Sequence, residues 1–127
     1  MSMIQEKLFP FFQALEQKKA VLTVQIAKLE QEGRRDEANL EKVRLNIVNV
    51  FETVANADQK SVEAGGWKDF CSRYEPRFDK LSEPWRARLE KARAHGDADT
   101  IAVEEAKLEM LAWIRSTWLA MRGDKDV

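Results

Sequence analysis

Residues 8–33 read LFPFFQALEQKKAVLTVQIAKLEQEG, and this run decides the fold. Leu8, Leu15, Leu22 and Leu29 recur every seven residues, with Phe12 and Ile26 between them. Apolar positions at this three-four spacing share one face of a helix and pack against neighbouring helices at shallow crossing angles. Lys19 takes the remaining seam position and is expected to reach outward along its aliphatic stem. Gly33 ends the run, because glycine enters the left-handed conformation of a helix C-cap without steric cost. Upstream, Ser2 with Gln5 three residues later has the form of a capping box. The helix then starts at the N-terminus with Pro10 inside it as a kink. The alternative starts the main helix at Pro10 itself.

The other glycines, Gly65, Gly66, Gly96 and Gly123, close similar runs. In the second column Leu40, Val43, Ile47, Val50 and Val54 form the stripe, with Asp36 as the expected N-cap. This stripe fades after Ala57. The third column carries Trp67, Phe70, Tyr74, Phe78 and Leu81, is interrupted at Pro76, and restarts around Ser82-Glu83-Pro84 with Ser82 as the cap. The fourth opens at Asp97 or Asp99. Four columns of similar length joined by short turns predict an all-α protein, an up-down-up-down four-helix bundle with its third column broken at Pro76/Pro84. Residues 1–123 form one helical-bundle domain, and 124–127 are expected to fray.

Composition bounds the function. Lys plus Arg (21) nearly balances Asp plus Glu (22), a net charge of −1 that disfavours a general polyanion binder. A lone cysteine, Cys71, points to a reducing cytoplasm. The N-terminus has no signal-peptide pattern. The most apolar window, Leu108 to Met121, is shorter than the roughly 20 residues of a bilayer span. One histidine and one cysteine leave no credible metal set. His95 lies some 24 residues from Cys71 in the same column, too far to activate it as a nucleophile. No enzyme, metal or cofactor is expected.

Three surfaces remain. Antiparallel columns gather Phe9, Phe11, Phe12, Trp67, Phe70, Tyr74, Trp113 and Trp118 at one end. Of these, Phe12, Trp67, Phe70, Tyr74, Trp113 and Trp118 are the candidate interface or apolar-ligand pocket. The fourth column has two apolar faces, one with Leu111 and Trp118 and the other with Met110 and Ile114, more than one seam requires. A homodimer would bury the second. Arg73, Arg77, Lys80, Arg88 and Lys91 follow one side of the third column as a candidate basic face for nucleic acid, interleaved with Glu75, Asp79, Glu83 and Glu90.

The stretch Trp85-Arg-Ala-Arg-Leu89-Glu-Lys-Ala-Arg-Ala-His95-Gly96-Asp97, followed by Val103-Glu-Glu-Ala-Lys-Leu108, resembles small bacterial helical-bundle proteins known only as domains of unknown function. The resemblance covers the last third of the chain and implies a cytoplasmic bundle, with no activity assigned to any residue. The expected function is a non-enzymatic protein–protein contact, by self-association or with a partner. The alternatives are a sensor of small apolar ligands and a nucleic-acid accessory protein.

Overall fold

In the computed structural model, which describes residues 2–62 and 66–123, five helices fill the four columns. They are α1 (Met3–Gln31), α2 (Arg35–Ser61), α3 (Gly66–Tyr74), α4 (Arg77–His95) and α5 (Ala98–Arg122), and no strand occurs among the described residues. Gly65 and the tail at 124–127 lie outside the described residues.

Local signals set the ends of these helices. Ser2 and Gln5 make a reciprocal capping box, with Gln5 N–H donating to Ser2 Oγ at 3.1 Å and Ser2 N–H to Gln5 Oε1 at 2.8 Å. The helix then runs unbroken through Pro10. Pro10 and its freed acceptor residue, Glu6, are both exposed, so solvent can hydrate the unpaired carbonyl. At the Gly33 and Gly96 turns, φ is +74° and +68°. In each, the amide of the following residue reaches back five positions, Arg34 to Leu29 and Asp97 to Ala92, both at 2.9 Å. Asp97 caps α5 by accepting from the Thr100 amide and hydroxyl.

Three sequence expectations are corrected. Arg34, not Asp36, is the N-cap residue of α2, and Asp36 sits in the first turn, where its charge faces the positive end of the helix dipole. The third column breaks once, at Glu75-Pro76, and α4 continues through Pro84. Ser82 is therefore no cap: its hydroxyl is buried and donates to the Phe78 carbonyl at 2.7 Å. Pro84 is tolerated for the same reason as Pro10, since it and Lys80 are exposed. Lys19 does not reach outward but crosses to Glu52 of α2, 2.6 Å from Nζ, and also pairs at 2.6 Å with Glu16 of its own helix.

The columns do not form a square. α5 packs against α4, α2 and α1, and its contact with α2 is the closer of the two diagonals of the bundle. Arg44 of α2 bonds Glu109 of α5 at 3.1 Å, across two helices running the same way. Its three neighbours cover much of both apolar faces of α5. Leu111 and Trp118 on one, and Met110 and Ile114 on the other, are all buried within the chain. The main core adds Leu8, Phe11, Leu15 and Leu22 from α1, Val48 and Phe51 from α2, and Phe70, Tyr74 and Phe78 from α3 and α4. Each such side chain contributes about 1.5–3 kcal/mol on burial.

Candidate protein-contact surface

The aromatic end assembles, and its rings fill it. Trp118 lies 5.2 Å from Phe11, 5.3 Å from Tyr74, 5.7 Å from Trp67 and 5.8 Å from Phe70 between ring centroids. Edge-to-face and offset packing at these separations adds to burial. Phe70, Tyr74 and Trp118 are fully buried, so no partner touches them without unfolding the end. The Tyr74 hydroxyl donates to the Phe51 carbonyl at 3.0 Å, and burial pushes its pKa up. Trp118 Nε1 donates to Glu75 at 2.9 Å, and Arg122 bonds the same oxygen at 2.6 Å.

The other three members of the aromatic group lie at its margin. Trp67 is partly buried, stacked on Phe70 with Lys7 over its ring. Trp113 is separate, with the Lys18 ammonium 4.8 Å from its ring centre. Phe12 touches Phe11 and opens on the other side, into a groove of about 420 Å³ with Gln5, Phe9, Asn56 and Gln59. Of the expected six, four form one cluster.

The basic side is divided. Arg77 forms a bidentate pair with Asp58, at 2.9 and 2.7 Å. Arg88 bonds Glu104 at 3.4 Å, and Lys107 bonds the same carboxylate at 3.0 Å. Asp58 and Glu104 are both buried, so Arg77 and Arg88 serve the interior as counter-ions. Arg73, Lys80 and Lys91 are exposed. The sequence pattern fades at Asp58, yet α2 continues there because Arg77 meets the carboxylate.

A surface that the sequence reading passed over lies on α1. Six large apolar side chains stand out as exposed among the described residues: Met3, Phe9, Val21, Val24, Leu119 and Met121. Four of them belong to α1, with Phe9 51% and Val24 69% accessible. A residue two positions along a helix is turned by about 200°. Val24 therefore points away from the core that Leu22 enters. Gln13, Gln17, Ala20, Val24, Ala27 and Gln31 follow one another at alternating four and three spacing, and all six are exposed. From Phe9 to Ala27 this outward face carries no charge, in a chain one third of whose residues are charged. The signal was present in the sequence as a second three-four stripe, but its small and amide residues have little hydrophobic weight.

At the opposite end, beside the Gly33 turn, a cleft of about 470 Å³ includes Leu29, Leu40, Arg34, Glu37, Glu41 and Arg44. Several of its charges pair locally, Arg34 with Glu32 and Glu37, and Arg44 with Glu41, while Arg44 also reaches Glu109 of α5. Among the described residues no group of three or more potential metal ligands occurs, and no helix is long and apolar enough to cross a membrane. No protein-family model matches the chain, and no curated protein or solved structure matches it.

Proposed function

We propose that this chain is a non-enzymatic bundle that works through protein–protein contacts, with the outward face of α1 as the contacting surface. One observation carries this reading: among the described residues α1 holds four of the six strongly exposed large apolar side chains, three of them (Phe9, Val21 and Val24) on a face without charge between Phe9 and Ala27. Exposed apolar patches on a soluble fold mark interaction sites more often than chance placement. At the aromatic end and on α5, the surfaces expected from the sequence, Phe70, Tyr74, Met110, Leu111, Ile114 and Trp118 are buried within the chain, while Phe9, Leu119 and Met121 remain exposed. The groove at Phe9 and Phe12 continues the α1 face toward α2, with the neutral amides Gln5, Asn56 and Gln59 at its rim. A single buried cysteine supports a reducing compartment.

Photo-crosslinking residues placed at Phe9 and Val24, and at Lys80 and Arg93 of α4 as controls, test the reading in cells making the protein. Adducts are expected from the α1 positions and not from the α4 positions. Absence of α1 adducts, or equal yields from both helices, refutes it.

A further inference from the structure

We infer that the distal part of α4, residues 85–95, is a detachable strap that lifts off α5 while the other helices stay packed, with the Arg88–Glu104 pair as its latch. α4 packs closely on α5, and on α3 at its start, but no comparable packing joins it to α1 or α2. Its first turn is well anchored. Phe78 stacks on Phe51 at 5.1 Å and meets Tyr74 edge-on at 5.5 Å between ring centroids, and Arg77 adds the pair with Asp58. Past Ser82 the anchoring thins. Leu89 and Ala92 are the buried apolar residues there, and neither joins the main core, which Trp85 meets as a partly buried neighbour. One leucine and one alanine are a small apolar hold for about three turns of helix. Between the two parts the backbone ladder is incomplete. Pro84 has no N–H for the Lys80 carbonyl, and the Ser82 hydroxyl bonds the Phe78 carbonyl at 2.7 Å. Exposed Arg86 spans this point, reaching Ser82 Oγ and the Asp79 carbonyl, the latter at 3.3 Å.

The rest of the hold on the strap is charge. Arg88 bonds Glu104 at 3.4 Å, Arg93 bonds Glu105 at 2.9 Å, and the Lys107 ammonium lies 5.8 Å from the Trp85 ring centre. The Arg88 and Arg93 side chains are 54% and 60% exposed, so water competes for both. Glu104 is different, because its side chain is only 4% exposed and it shares itself between Arg88 and Lys107 of its own helix. With the strap down, the carboxylate is held out of water, and Arg88 offsets part of that cost. With the strap up, it keeps Lys107 and regains hydration. Desolvation of Glu104 therefore works against docking, which places residues 85–95 at the low-stability end of the fold. Once lifted, so short a segment lies below the ~12–15 residues that an isolated helix needs in water. Release thus unwinds it and opens its amides to exchange.

Native-state hydrogen exchange on the full chain, read residue by residue by NMR, tests the strap. Amides 88–92 lie inside it and clear of its terminal residues. Relative to their intrinsic rates they should exchange at least about a hundredfold faster than the slowest amides of α1 and α2, with little dependence on urea below the global transition. Amides 104–108 of α5, opposite the strap, should stay slow. Arg88→Ala should speed amides 88–92 by about threefold to fivefold, the effect of one partly exposed ion pair, and leave Phe11, Leu15 and Leu22 unchanged. Lys91→Ala, an exposed position on the same segment, is the control and should change them less than about twofold. Amides 88–92 that exchange only together with the α1 core, or together with amides 104–108, overturn the strap. An Arg88→Ala change spread equally over all helices does the same. Separate opening that Arg88→Ala leaves untouched overturns the latch.

Discussion

Arg77→Ala and Asp58→Ala delete one ion pair from opposite sides, and the structure makes the two losses unequal. Asp58 is 2% exposed, whereas 39% of the Arg77 side chain remains accessible. Removing the arginine leaves a carboxylate in the interior without its two guanidinium donors, and such a stranded charge costs about 3–5 kcal/mol. Removing the aspartate leaves a guanidinium that can swing into solvent. Its loss is that of charge-assisted hydrogen bonds, about 1.5–3 kcal/mol. The double variant strands neither charge and should lie within about 0.5 kcal/mol of Asp58→Ala. Urea titrations followed by far-UV circular dichroism measure all three, with a slope of about 1–3 kcal/mol per molar urea. The gap between the single variants then appears as a midpoint difference of about 1 M. Should Asp58→Ala prove as damaging as Arg77→Ala, or the double variant equal the sum of the singles, the account of a stranded carboxylate is wrong.

Trp118→Ala should cost about 3–5 kcal/mol in the same titration, because it empties the centre of the ring cluster and removes a donor from Glu75. Gly96→Ala should cost about 1–2 kcal/mol although a Cβ there meets nothing within 4 Å, since the strain lies in the left-handed backbone. A thermal midpoint equal to the parent's would contradict that. Asp97 has its carboxyl held below the usual value of 3.8, first by the Thr100 hydroxyl and then by its amide. A depressed folded value stabilises above the unfolded one, and that contribution disappears as pH falls through the folded value. Melting curves between pH 2 and pH 6 should show the parent's advantage over Asp97→Asn shrinking toward zero in acid, and a constant gap would count against the cap.

Much of the architecture was legible because it is written locally. The Ser2–Gln5 box, the leucine repeat of α1, the Gly33 and Gly96 turns and the Asp97 cap each act within a few residues of chain. What could not be read depends on which helix lies opposite. Lys19 looked like a snorkelling seam residue because its partners come from another turn and another helix, Glu16 and Glu52. Burial pushes the Glu52 carboxyl upward, and its hydrogen bond with Glu16 adds to this, so the three groups share one site at the α1–α2 seam. Asp58 looked like the start of a solvated end for the same reason, its counter-ion being 19 residues away on α4. The two apolar faces of α5 are met by three neighbouring helices that its own sequence does not reveal. The α1 face is faint in the sequence because its alanines are small and its glutamines polar.

The packing of α5 against three other helices has a consequence for biosynthesis. Ribosomes deliver this element after α1 to α4, and Trp118, around which the ring cluster closes, belongs to its final turns. The α1–α2 hairpin can form while translation continues, yet its Phe11 must wait for that indole. A nascent chain stalled before Ala98 would thus present a half-built interior to chaperones and proteases.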